Sequence, residues 1–137
     1  MLVRPRLPLA LVALLCLAGC GPPKAATPGH YTLGPTADCL EKSGLEVAEN
    51  PPDLDFVTGT APAGALRSAR DGKRFFIAFG NDEDDATILV KGYERSALTT
   101  RERRRLRSLL DREGNAVIYW TTEPNAEQST AVRSCLK

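Results

Sequence analysis

Residues 64–80 read GALRSAR-DG-KRFFIAFG, in which an Asp-Gly dipeptide separates two strand-like segments. Asp71-Gly72 in this position is typical of a two-residue β-hairpin turn, because both central residues of that turn need positive φ. The second segment contains Phe75-Phe76-Ile77-Ala78-Phe79, which is apolar at consecutive positions. A strand that is apolar on both faces is expected in the centre of a sheet. The stretch therefore predicts a hairpin at the core of the fold.

The patterns around the hairpin predict a mixture of helices and short strands. In chain order they are a short helix through Cys39 to Lys42, a strand at 45–48, a loop at 50–62, the hairpin, a helix capped by Asn81, a second helix behind the capping box Thr99–Glu102, a strand at 116–122 and a helix after Pro124. We expect an α+β domain with a small antiparallel or mixed sheet of three to four strands, packed by helices on one face.

The N-terminus has the composition of a secretory signal. Residues 1–6 are basic, residues 7–18 are almost wholly apolar, and Gly21-Pro22-Pro23 follows shortly after. A membrane-spanning helix needs about 20 apolar residues, so this shorter run predicts a cleaved signal peptide at residues 1–19.

The run ends in Leu17-Ala18-Gly19-Cys20, which resembles the lipobox of bacterial lipoproteins. The resemblance implies that the chain is cut before Cys20 and that Cys20 carries an acyl lipid such as palmitate. It further implies an extracytoplasmic, lipid-anchored protein of the cell membrane or the outer membrane. Gly21 rather than Asp after the cysteine is usual for outer-membrane lipoproteins of two-membrane bacteria. The alternative is an ordinary signal cut near Ala18-Gly19, which leaves no lipid.

Of the four cysteines, Cys16 lies in the apolar run and Cys20 is the predicted lipid site. Cys39 and Cys135 remain, and a pair outside the cytoplasm is expected to oxidise. Closing so long a loop stabilises a domain by on the order of 4–5 kcal/mol in the chain-entropy description. The alternative is two buried free thiols. We predict no cofactor and no metal site, because the only histidine, His30, lies outside the predicted domain.

Residues 21–37 are rich in Pro, Gly, Ala and Thr, which predicts a flexible tether. The predicted organisation is therefore a lipidated N-terminus and tether at 20–37 and one domain at 38–137. The full chain has a net charge of +1, to which Arg4 and Arg6 of the signal contribute two positive charges. The nearly neutral remainder gives no electrostatic reason to expect nucleic acid as a partner.

Two charged runs suggest sites on the domain. The acidic run 82–85 lacks the glycine turn of a calcium-binding loop. It is predicted to form the first turn of a helix, where acidic side chains are favoured by the helix dipole. The basic run predicts a solvated helix face, or alternatively a surface that docks on anionic lipid headgroups or on an acidic partner. Its members are Arg101, Arg103, Arg104, Arg105 and Arg107.

Three aromatic residues on predicted strands, Phe76, Tyr119 and Trp120, are candidates for core packing or for an open apolar face that binds a ligand. Nucleophilic hydrolysis needs a base beside the nucleophile, and the predicted domain has no histidine. We therefore predict a non-enzymatic envelope protein that binds a protein or a small ligand. The alternatives are a small hydrolase that works through carboxylates and a purely structural lipoprotein.

Overall fold

A computed structural model describes residues 27–137. The predicted signal peptide, the lipobox, Cys16, Cys20 and the first part of the tether lie outside the described residues. None of the helices in the described part has the length and apolar character that a membrane crossing requires.

Five antiparallel strands form one sheet in the order β1-β2-β3-β5-β4. The strands are β1 (Glu46–Glu49), β2 (Ala65–Arg70), β3 (Lys73–Phe79), β4 (Leu110–Glu113) and β5 (Ala116–Trp120). The predicted hairpin is confirmed, because β2 pairs with β3 and the turn residues Asp71 and Gly72 have φ values of 52° and 75°. The apolar strand β3 is central, as its sequence predicts.

Four α-helices accompany the sheet in the described chain: α1 (Leu33–Lys42), α2 (Glu83–Ser96), α3 (Thr100–Leu109) and α4 (Ala126–Ser134). A 3-10 helix at Thr58–Thr60 lies in the predicted loop. The capping box of α3 is confirmed, since Thr99 accepts the backbone N–H of Glu102 and Glu102 accepts that of Thr99. The cap of α2 is Asp82 rather than Asn81, whose backbone N–H donates to Asp85 instead.

The α+β class is confirmed, but helices cover both faces of the sheet rather than one. Phe75, Ile77 and Phe79 pack with α1 and α4 in one apolar cluster. Ala78, from the alternate positions of β3, packs with α2 and α3 in a second cluster. Because β3 is apolar at consecutive positions, each face needs its own cover.

The sheet also has one strand more than the sequence predicted. Leu110 continues the apolar pattern of α3, so the sequence predicts that the helix runs on as far as Gly114. Residues 110–113 form β4 instead, because Gly114 and Asn115 turn the chain back and Glu113 pairs with Ala116. Pairing with β5 supplies backbone hydrogen bonds that outweigh the local helical pattern.

The predicted disulfide is confirmed: Cys39 of α1 is bonded to Cys135 at the end of α4, 96 residues away. Both helices lie on the same face of the sheet. The bond therefore joins the first and last helices beside each other and closes nearly the whole domain into one loop.

The folded part begins earlier than the predicted boundary at residue 38. Helix α1 starts at Leu33, and Thr36 and Ala37 are buried. The segment before it lies against the β4–β5 turn, where the fully buried Asn115 binds both the N–H and the carbonyl of Tyr31. A proline- and glycine-rich composition resembles that of a linker, but here a buried side chain satisfies its backbone groups.

Candidate functional site

The three aromatic candidates do not form one surface. Phe76 and Tyr119 face α2 and the 3-10 helix, with ring centroids 6.2 Å apart, and Tyr119 also lies 4.9 Å from Tyr93. Trp120 faces the opposite side, where its ring lies 4.8 Å from that of Phe75. Adjacent strand residues point to opposite faces, so Tyr119 and Trp120 cannot share one.

Trp120 contributes instead to a cleft between α1 and α4, which we name the α1–α4 cleft. It is partly enclosed, with a volume of about 80 Å³. Phe75 and Trp120 form its floor, and they are only 4% and 6% exposed. Apolar residues line its walls from both sides, Leu40, Leu45, Ala131 and Val132, together with the polar residues Ser43, Thr122 and Gln128.

The indole of Trp120 is held in place from beneath the cleft. Its Nε1–H donates to the carboxylate of Asp111 at 3.1 Å. The same carboxylate accepts hydrogen bonds from Ser129 at 3.2 Å and from Arg133 at 2.6 Å, both on α4. Because the polar N–H is already satisfied, the part of the ring that faces the cleft is apolar.

The mouth of the cleft is cationic. Arg70 and Lys73 lie directly opposite each other on β2 and β3, next to the hairpin turn, and Arg74 follows. Arg70 forms an ion pair with Asp71 at 3.8 Å, but the side chains are 64% and 90% exposed, so the pair is weak. None of the ion pairs of the described residues includes Lys73. Like charges directly opposite each other destabilise a sheet. An anion bound between Arg70 and Lys73 would reduce the repulsion between their side chains.

The predicted basic run lies on the exposed side of α3. Its buried positions, Leu106 and Leu109, pack on the domain, and Arg101, Arg103, Arg104, Arg105 and Arg107 are exposed. Helix α2 adds two more cations beside them, and a surface groove between the helices is lined by Lys91, Glu94, Arg95, Ala97, Arg103 and Arg107. Arg107 lies 3.9 Å from Glu94, which neutralises part of the groove.

The acidic run acts within α2. Asp82 accepts the backbone N–H of Asp85 at 2.9 Å, and Asp85 accepts that of Asn81 at 2.9 Å. Glu83 pairs with Arg112 of β4 at 3.4 Å. These bonds satisfy N–H groups that a helix N-terminus leaves without partners, and the carboxylates also oppose the positive end of the helix dipole.

One buried polar cluster lies on the α2 face. Asp55 accepts the backbone N–H groups of Val57 and Thr58 at 3.0 Å and the phenol of Tyr93 at 3.1 Å. The Thr58 hydroxyl bonds to both Asp55 and Tyr93. Burial raises the pKa of Tyr93 far above its ordinary value, the Thr58 hydrogen bond opposes that rise, and the Asp55 charge adds to it. The cluster fixes the 53–60 loop to α2.

Comparison with protein-family models, with curated proteins and with solved structures finds no match to this chain. Among residues 27–137, no group of three or more His, Cys, Asp or Glu side chains is placed to hold a metal ion.

Of the residues that line the cleft, only Trp120 is a candidate site residue on the sequence alone. Phe75 and Trp120 are far apart in the chain, and only the β3–β5 register places them side by side. The cationic mouth could have been predicted from the basic residues on both sides of the Asp71-Gly72 turn, Arg70 and Lys73-Arg74. A two-residue turn must bring such flanking residues opposite each other.

Proposed function

We propose that this chain is a lipid-anchored, extracytoplasmic binding protein without enzymatic activity, and that it recognises its ligand in the α1–α4 cleft. The observation that carries the proposal is the cleft itself, which combines an apolar floor with a cationic mouth. Ligand sites in proteins are concave and mostly apolar, with a few charged groups that orient the ligand.

The position of the cleft suits a tethered protein. The N-terminal segment lies against Asn115 and Gly114 at one end of the sheet. The cleft mouth lies at the other end, beside Lys73, and the length of β3 puts about 20 Å between the two. The proposed lipid site, Cys20, is seven residues from Thr27 and therefore at most about 25 Å from it. The N-terminal segment and the cleft mouth thus lie at opposite ends of the domain.

The lining favours binding over hydrolysis. The described residues that line the cleft include no Asp or Glu, so the alternative hydrolase would need carboxylates at another place. Asp55 and Asp111, two partly buried carboxylates, hold structural hydrogen bonds and lie on opposite sides of the sheet. The disulfide joins the two helices that form the cleft walls, which keeps the cleft preformed.

A crosslinker placed in the cleft tests the proposal in living cells. A photoreactive amino acid replaces Ala131, an exposed residue of the cleft wall, in the full-length protein. The matched control replaces Ala126, an exposed alanine on the same helix that does not line the cleft. We expect an adduct of defined mass at position 131 and none at 126. The same adducts at both positions, or none at 131, would contradict the proposal.

A further inference from the structure

We propose that the α1–α4 cleft binds an anionic amphiphile with a slender, unbranched apolar chain, of the class of a medium-chain fatty acid. The carboxylate lies at Arg70 and Lys73, and the chain runs over Phe75 and Trp120. This inference rests on the proposed function and specifies its ligand. The other basic region, the groove between α2 and α3, has no apolar floor of this kind.

The charge of the mouth selects an anion. Arg70 and Lys73 face each other across the hairpin on the same side of the sheet as Phe75. Both are exposed, and no carboxylate lines the cleft within the described residues. A carboxylate placed between the two side chains replaces their repulsion by two charge-assisted hydrogen bonds.

The shape selects a slender chain. The enclosed part of the α1–α4 cleft, at about 80 Å³, is smaller than the cavity of about 150 Å³ that is known to accept a benzene ring, so it encloses only a few methylene groups, and the rest of a longer chain lies in the open part of the cleft. Phe75 and Trp120 leave only a small part of their surface free, which suits methylene groups in single file over the rings. A bulky ring system would have to separate α1 from α4, which the Cys39–Cys135 bond opposes.

The chain has only one tryptophan, so its fluorescence reports on the floor of the cleft alone. The experiment uses the mature chain from Cys20 with Cys20→Ser, which carries no lipid, titrated with decanoate below its micelle concentration. Decanol supplies the same chain without charge, and acetate supplies the charge without the chain. We expect saturable binding of decanoate, binding of decanol at least about tenfold weaker, and no response to acetate.

Two variants locate the ligand. Lys73→Gln removes one cation of the mouth and is expected to weaken decanoate binding by about tenfold while leaving decanol unaffected. Lys91→Gln, the same change at an exposed lysine outside the cleft, is the control and leaves both affinities unchanged. Ala131→Phe fills the wall and abolishes binding of both ligands, with unchanged circular dichroism as proof of folding.

Absence of a saturable decanoate response, or equal affinity for decanoate and decanol, overturns the assignment of an anionic amphiphile. Equal loss of binding in Lys73→Gln and Lys91→Gln overturns the assigned position of the carboxylate. The proposed binding function is tested separately. It is contradicted only if position 131 yields no specific adduct in cells. A specific adduct together with no decanoate binding would therefore reject the ligand class and leave the binding role standing.

Discussion

The side-chain amide of the fully buried Asn115 binds Tyr31 twice: its oxygen accepts the Tyr31 N–H at 2.6 Å, and its nitrogen donates to the Tyr31 carbonyl at 2.9 Å. The same nitrogen donates to the carbonyl of Gly80 at 2.7 Å. One side chain thus joins the N-terminal segment, the end of β3 and the β4–β5 turn.

Asn115→Asp is therefore expected to destabilise the domain severely. The new carboxylate has no N–H to donate to the Tyr31 and Gly80 carbonyls, and its negative charge is buried. We expect a loss of at least about 3 kcal/mol in the free energy of unfolding, measured with urea. Asn125→Asp is the matched control, because that exposed N-cap only accepts an N–H from Gln128. A loss below about 1 kcal/mol for Asn115→Asp would contradict this role.

Cys39→Ser is expected to lower the free energy of unfolding by about 2–5 kcal/mol, because the unfolded chain loses its large closed loop. Thermal unfolding with and without reductant measures the effect. The native protein should melt at a lower temperature after reduction, whereas the variant should be insensitive to reductant. An unchanged melting temperature on reduction of the native protein would show that the bond does not stabilise the fold.

Tyr93 gives the domain a defined sensitivity to alkali. Burial raises the pKa of Tyr93 in the folded state above its value of about 10 in the unfolded state. The contribution of Tyr93 to the free energy of unfolding is therefore fully present below pH of about 10 and is lost as the pH rises through the folded-state pKa. Above pH of about 10 the unfolded state releases the phenolic proton first, which favours unfolding. We expect the stability of the native protein to fall more steeply there than that of Tyr93→Phe. Parallel curves of urea stability against pH would contradict this assignment.

The combined variant Arg103→Gln, Arg104→Gln, Arg105→Gln is expected to fold with a stability within about 0.5 kcal/mol of the native protein. The three side chains are exposed, and none takes part in an ion pair of the described residues. If these arginines dock on an acidic partner or on anionic lipid, as the sequence suggests, copurification of the partner or flotation with anionic vesicles should fall. Unchanged contacts would identify them as a solvated face.

Local signals predicted much of this fold. The Asp71-Gly72 turn, the apolar run of β3, the Thr99–Glu102 capping box and the cysteine pair each specify their structure through neighbouring residues or through oxidation chemistry. The predictions that were wrong concern segments whose structure depends on contacts with residues distant in the sequence. β4 is a strand only because β5 lies beside it, and the segment before α1 is held because Asn115 binds Gly29 and Tyr31. The cleft needs the β3–β5 register as well as two helices joined by a disulfide, which a single segment cannot show.

The proposed anchor is tested most directly by the intact mass of the protein from the native membrane fraction, measured with and without reductant. We expect a chain that begins at Cys20, carries the added mass of acyl groups, and gains the two hydrogens of one disulfide on reduction. A chain without acyl mass, or one that keeps residues 1–19, would contradict the lipid anchor. It would also require the arginines of α3 to be reconsidered as a surface for nucleic acid or for a cytoplasmic partner.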